Sequence, residues 1–169
     1  GGPLRICGNL PYNVSTPLLF HLLRFREHIK DMHFLLQKEV VQRMAAGPGS
    51  KIYGRLSVML AAQCEVHALF DVRPGAFRPP PAVDSSLVRL DVPSEPPLSL
   101  ADPSLFAAVV RQAFSMRRKT LRNALRSLVD TTVMETAQID PGARPETLSP
   151  ADFARHDRYD LLAWARDLS

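Results

Sequence analysis

Leu4-Arg5-Ile6-Cys7-Gly8-Asn9-Leu10-Pro11-Tyr12-Asn13-Val14-Ser15-Thr16-Pro17 is the stretch that decides the fold. Leu4 to Cys7 reads as a short strand stopped by Gly8. Asn9 to Val14 is a turn. Ser15-Thr16-Pro17 then signals a helix start, a hydroxyl cap followed by proline at the first helical position. Leu18, Leu19, Leu22, Leu23 and Phe25 give that helix an apolar stripe. A strand that turns directly into a helix is the repeating step of an α/β layer.

The pattern continues outward. Met32 to Leu36 is apolar nearly throughout, as in a buried strand. Lys38 to Ala46 reads as a helix ended by Gly47-Pro48-Gly49, and Arg55 to Cys64 as a second. A strand from Val66 to Val72 follows. The loop from Arg73 to Val83 holds four prolines and is not regular structure. Leu87 to Val92 alternates with period two, a strand with one polar side. Pro93-Ser94-Glu95-Pro96-Pro97 is the clearest linker. Beyond it the spacing is helical only: Ser104 to Met116, Lys119 to Val129, and Ala151 to Leu168 around Phe153, Leu161, Leu162 and Trp164. The expected domains are 1–92, a linker 93–103, and a helical domain 104–169. No internal repeat and no low-complexity tract is present.

Composition narrows the class. Hydrophobic residues make up 46% and charged residues 22% of 169, the mix of a globular protein with a core. No apolar run approaches the roughly 18 residues a bilayer span needs, and no signal peptide opens the chain. Cys7 and Cys64 lie far apart in apolar surroundings and read as reduced, buried thiols of a cytoplasmic protein. His21, His28, His33, His67 and His156 show no metal-ligand spacing, so no metal is expected. A monomer is expected.

Net charge is +4, yet Pro103 to Val129 alone carries six basic residues and no acidic one. These are Arg111, Arg117, Arg118, Lys119, Arg122 and Arg126. Such a concentration suits a polyanionic partner; a solvated helix face is the plainer alternative.

Asn9-Leu10-Pro11-Tyr12 carries the strongest chemical signal. Loops at the carboxyl ends of strands line the ligand crevice of open α/β sheets. The exocyclic amine of adenine is a poor nucleophile because its lone pair is delocalised into the ring. An Asn side-chain oxygen and backbone carbonyls that hold its hydrogens favour a pyramidal nitrogen without any general base. Pro11 fixes its own φ and restricts Leu10, and Tyr12 offers a face on which a flipped base stacks. Phe77, on the proline-rich run Gly75 to Ser85, is a candidate for the opposite face. A turn rich in turn formers and a hydrophobic loop plug are the plainer readings of these two signals.

Together with three further runs, these motifs resemble the small-subunit rRNA adenine N6,N6-dimethyltransferase family, in its C-terminal part. The family shows an Asn-Leu-Pro-Tyr turn and a Gln-Lys-Glu-Val helix start, matched by Gln37 to Val40. A Lys-x-Tyr-Gly-Arg-Leu-Ser run is matched by Lys51 to Ser57, and Phe-x-Pro-x-Pro-x-Val-x-Ser from Phe77 to Ser85. Phe-x-x-Arg-Arg-Lys-Thr-Leu-x-Asn is matched from Phe114 to Asn123. The five runs stand in order and cover essentially the whole chain.

The resemblance implies an α/β fold, the C-terminal part of a Rossmann-like methyltransferase sheet, followed by a small all-helical rRNA-binding domain. It implies transfer of methyl groups from S-adenosylmethionine to N6 of two adjacent adenines near the 3′ end of small-subunit rRNA, in ribosome biogenesis. The implied partners are that rRNA and the small ribosomal subunit. Asn9 would lie between donor and base, Leu10 and Pro11 would offer carbonyls to the amine, and Tyr12 and Phe77 would stack the adenine. Arg117, Arg118, Lys119 and Arg122 would contact rRNA phosphates, which positions RNA without reading bases. Lys51, Tyr53 and Arg55 are expected in structural or peripheral RNA roles.

The Gly-rich turn and the acidic ribose-binding residue of a Rossmann donor site are not in this sequence. Gly47-Pro48-Gly49 follows a helix and reads as a turn. The start at Gly1-Gly2-Pro3, without Met, suggests a cut chain, with an exposed sheet edge beside Leu4 to Cys7 and no activity alone. A DNA adenine methyltransferase, a non-catalytic RNA-binding factor of ribosome assembly or mitochondrial transcription, and a purely structural fragment are the alternatives. The leucine at position 10 and the basic helical domain argue against the first.

Overall fold

The computed structural model describes residues 2–11, 13–116 and 118–155. They group into two compact units, Gly1–Ala45 with Gln63–Pro97, and Ala46–Ala62 with Leu98–Ser169. Segment Ala46–Ala62, which the sequence reading leaves in the first domain, packs with the helical unit.

The first unit is built on four strands: β1 (Leu4–Asn9), β2 (Ile29–Gln37), β3 (Glu65–Val72) and β4 (Ser85–Asp91). Their order across the sheet is β1-β2-β4-β3. β1 is parallel to β2, and β4 runs antiparallel to both β2 and β3. β1, β2 and β3 therefore point the same way, and the β3–β4 hairpin loop lies at their carboxyl ends. Met32, Phe34 and Leu36 alternate into the core from β2, as Val88 and Leu90 do from β4. Burial of each such side chain stabilises by about 1.5–3 kcal/mol. Their partners in the alternation, Arg89 and Asp91, stay half-exposed and form an ion pair at 2.9 Å.

Two helices complete this unit, α1 (Ser15–Leu23) and α2 (Lys38–Met44). Gly8 does not stop the first strand. In the parallel ladder Gly8 pairs with Phe34 and Asn9 with Leu35, and this pairing outweighs the intrinsic cost of glycine in a strand, about 0.5–1 kcal/mol. Nor is Ser15 the cap of α1: Val14 holds that position, and Ser15 is the first helical residue. Ser15, Leu19 and Leu23 are the buried residues of α1, one face at four-residue spacing. Burial of that face, rather than a hydroxyl cap, sets where the helix begins.

Arg5 clamps Asp31 across the first two strands through two side-chain bonds of 2.7 and 2.9 Å. The guanidinium holds the nearly buried Asp31 carboxyl below its ordinary pKa, chiefly through that hydrogen bond. β1 is paired on one side only among the described residues, and four of its six residues are exposed. Neither cysteine is in a disulfide among the described residues. Only Cys64 is buried; Cys7, expected to be buried, is exposed because it sits on this edge strand. Burial pushes the Cys64 thiol up to about 12.

The second unit comprises α3 (Arg55–Ala61), α4 (Pro103–Ser115), α5 (Leu121–Leu125), α6 (Thr131–Thr136) and a further helical turn at 150–155. Val58, Phe106, Val110, Leu121, Met134 and Phe153 lie in its core. Asp102 caps α4 by accepting from the N–H groups of Ser104 and Leu105 at 2.8 and 3.0 Å. Pro103 occupies the first turn, where a missing N–H costs nothing. The segment 46–62 is tied into this unit by Tyr53, whose hydroxyl donates to the Leu148 carbonyl, and by the Gly49 N–H, which donates to the Glu146 carbonyl at 2.7 Å.

The helix expected over Lys119 to Val129 is shorter. α5 alone is helical, and the N–H groups of both Leu128 and Val129 return to the Leu125 carbonyl, closing it. α6, which the sequence reading does not foresee, is capped by Asp130, whose carboxylate accepts from the Thr132 N–H at 3.0 Å. It ends in a Schellman pair: Ile139 N–H to the Met134 carbonyl and Gln138 N–H to the Glu135 carbonyl, each 2.9 Å. Gln138 takes the left-handed conformation, φ 58°, that this ending requires. Of the expected helix Ala151 to Leu168, Leu161, Leu162 and Trp164 lie outside the described residues. No helix of the described residues is long and apolar enough to cross a membrane.

Candidate active site

Strand direction brings the two halves of the site together. Asn9 ends β1, and the Leu10 N–H donates to the Leu35 carbonyl at 3.4 Å, carrying the ladder one residue further. The loop 73–84 arrives at this same end because β4 starts opposite Gln37 and Val72. Asn9, Leu10, Pro11 and Phe77 consequently line one cleft of about 410 Å³, walled by Pro79, Pro80 and Pro81. A Pro74–Ala76 helical turn and a cis Arg78–Pro79 peptide shape the loop. Its single helical turn is the one piece of regular structure in a stretch expected to hold none. Tyr12 lies outside the described residues.

Each group in the cleft suits the handling of an amine. Asn9 is exposed, and no partner among the described residues engages its side chain. The Pro11 carbonyl accepts from the Val14 N–H at 3.2 Å, so one lone pair remains for another donor. That internal bond also fixes the direction of the turn. Phe77 is half-buried and lines the cleft.

Lys38 braces the loop, a role that residue-by-residue reading misses. Its backbone N–H donates to the Asp84 carbonyl at 3.0 Å, and its ammonium stands 2.6 Å from the Asp71 carboxylate. The Lys38 hydrogen bond is the main cause holding the Asp71 carboxyl below its ordinary pKa, and a bond from Ser86 adds to it. Position 38 opens α2, where the chain leaves the sheet beside the hairpin loop. The signal was present in the Gln37-Lys38-Glu39-Val40 run, whose lysine has no evident task within its own helix.

The basic residues lie in the helical unit. Arg111, Arg118, Lys119, Arg122 and Arg126 are all exposed; Arg117 lies outside the described residues. None of these five forms an ion pair among the described residues. Arg118 follows α4 in the left-handed region, φ 75°, a conformation that costs a non-glycine residue about 1 kcal/mol or more. Glu65, His67 and Asp91 also come together, with ligand atoms within 4.8 Å of one another. Arg89 already sits 2.9 Å from Asp91 and supplies the positive charge there.

Solved structures of similar shape are methyltransferases. A dimethyladenosine transferase from Plasmodium falciparum aligns over 96% of this chain and 66% of its own, with a TM-score of 0.79 and 26% identity. The 23S rRNA methyltransferase ErmE aligns over 94% of this chain and 65% of its own, at a TM-score of 0.68 and 21% identity, and supports the fold. The mixed sheet with its helices has the fold of the Rossmann-like methyltransferases.

Sequence comparison is more specific. The family model described as Ribosomal RNA adenine dimethylase matches residues 1–159, and the chain belongs to that family. Ribosomal RNA small subunit methyltransferase A of Xanthomonas euvesicatoria pv. vesicatoria (strain 85-10) is 60% identical over 162 residues, 95% of this chain and 62% of that protein. The protein of the same name from Xanthomonas axonopodis pv. citri (strain 306) is 61% identical, with the same coverage. The chain thus spans about 62% of the length of these curated relatives.

Proposed function

We propose that this chain forms the target-base side of an rRNA adenine N6,N6-dimethyltransferase acting on two adjacent adenines near the 3′ end of small-subunit rRNA. The observation that carries the reading is the meeting of Asn9, Leu10, Pro11 and Phe77 in one cleft at the carboxyl edge of the sheet. S-adenosylmethionine, when bound, supplies an electrophilic methyl group. Asn9, with its exposed side chain at the end of β1, fits the reacting end of that donor. The Gly-rich turn and acidic residue that would hold the rest of it are not in these 169 residues.

The residues in hand handle the amine. The Asn9 side-chain oxygen and the carbonyls of Leu10 and Pro11 accept its hydrogens, which localises the nitrogen lone pair. Phe77 and Tyr12 hold the flipped base by stacking, which is sequence-tolerant and costs little side-chain entropy. The sheet-bearing residues of the 1–92 segment serve as the methyltransferase part, and the 104–169 segment, joined by residues 46–62, as the rRNA-binding part. There, Arg117, Arg118, Lys119 and Arg122 pair with phosphates, positioning an RNA helix recognised by its shape. The enzyme works as a cytoplasmic monomer.

The test joins this segment to the N-terminal portion that its relatives possess and supplies labelled S-adenosylmethionine with undermethylated small subunits. Label is expected as dimethyladenine in rRNA, and is expected to be lost in Asn9→Ala and Tyr12→Ala. Subunits bound without transfer of label would replace this reading with that of a non-catalytic assembly factor.

A further inference from the structure

Lys51 and Tyr53 belong to a motif that the cleft does not use. They line a second concavity of about 330 Å³, within the helical unit, with Phe114, Arg118, Pro145 and Glu146. Residues far apart in sequence converge here because segment Ala46–Ala62 packs into this unit.

The floor is aromatic and apolar. Tyr53 is 3% exposed, its hydroxyl already committed to Leu148. Phe114 is half-buried and stands edge-on to Tyr53, ring centres 6.0 Å apart. The charged side chains are Lys51 and Arg118, both exposed, and Glu146, half-buried. None of the three forms an ion pair among the described residues. The Glu146 carbonyl accepts from Gly49, which fixes the backbone on the acidic side of the pocket. Two unneutralised cations and one carboxylate around an aromatic floor match the parts of a nucleotide: phosphate, amino-bearing base edge and ring face. Lys119 and Arg122, unpaired and close in sequence to Arg118, extend the same charge.

We propose that this concavity takes one unpaired nucleotide of the rRNA substrate, a contact separate from the methylated adenines. The base rests on Phe114 and Pro145, Glu146 accepts from its amino group, and Lys51 and Arg118 hold the flanking phosphates. The proposal rests on the rRNA reading of the cleft. A carboxylate acceptor favours cytosine or adenine over uracil, which presents no amino group.

The probes are RNA hairpins carrying a single bulged cytosine, adenine, uracil or abasic site, titrated into the chain joined to the N-terminal portion that its relatives possess. The cytosine and adenine hairpins are expected to bind about tenfold tighter than the abasic one. Glu146→Leu, which removes the acceptor, is expected to abolish the preference for cytosine over uracil. Lys51→Ala is expected to weaken all four hairpins and lower the salt slope by about one. Lys51 is exposed and Glu146 half-buried, and neither belongs to the hydrophobic core of the unit. Equal binding of abasic and base-bearing hairpins, or indifference to both substitutions, overturns the pocket. If small subunits are still methylated under that outcome, the pocket alone falls. If they are neither bound nor methylated by the unsubstituted protein, the pocket falls together with the reading it rests on.

Discussion

The Tyr53 hydroxyl donates to the Leu148 carbonyl across 2.9 Å, joining residues 95 positions apart. Both residues are buried, so neither group has water as a substitute. Tyr53→Phe leaves the carbonyl without that donor and is expected to cost the helical unit about 1–2 kcal/mol. Urea denaturation followed by helical circular dichroism measures it, and an unchanged midpoint would contradict the fastening role given to Tyr53.

Alkaline pH tests the same burial. Tyr53 is pushed up from 10.0 to about 12 and Cys64 from 9.0 to about 12, in both cases by loss of solvent around the ionised form. A raised pKa means that the folded state favours the protonated group. Its stability is full below the unfolded pKa and is lost as pH rises toward the folded one. The sheet unit, holding Cys64, is expected to weaken from about pH 9, and the helical unit, holding Tyr53, from about pH 10. Each slope approaches about 1.4 kcal/mol per pH unit. Denaturation between pH 8 and 11 should show Tyr53→Phe flattening the upper part of the profile, and Cys64→Ala the part that starts lower.

Gln138 adopts φ 58° at the end of α6, where only glycine is free of strain. The Schellman bonds on either side are made by backbone atoms and survive substitution. Gln138→Gly is therefore expected to stabilise the helical unit by about 0.5–1 kcal/mol, the relief of strain less the added freedom of the unfolded chain. A lower thermal midpoint would show that the Gln138 side chain contributes more than its backbone costs.

Phe77 separates stacking from plugging. Phe77→Leu keeps an apolar side chain of similar bulk on the loop but removes the ring face. In the chain joined to the N-terminal portion that its relatives possess, methyl transfer to undermethylated subunits is expected to fall about tenfold or more, with thermal stability unchanged. Equal loss of stability and activity would assign Phe77 to the loop's packing instead.

Much of this was legible in the chain itself. The alternation of Leu87 to Val92 marked a strand because period-two burial is a local property of its side chains. The Asn9 to Tyr12 turn and the Phe77 loop were visible as motifs. So was the basic run, because charge needs no fold to be counted. α6 was missed although Asp130 precedes Thr131 and Thr132 in the manner of a cap. Its short length leaves too few apolar positions to show a helical period.

What sequence alone determined was the kind of each piece: strands, helices, a proline-rich loop, a cationic run and the chemistry its side chains can perform. Tertiary structure decided their company. Gly8 stays in the strand because β2 pairs with it, and Ser15 is helical because its face is buried. Asn9 meets Phe77 because β4 runs against its neighbours, and Lys51 meets Arg118 because segment 46–62 packs among the helices. Each of these depends on pairing and burial between residues distant in the chain. Those free energies exceed the local preferences a sequence displays, and they exist only once the partner is in place.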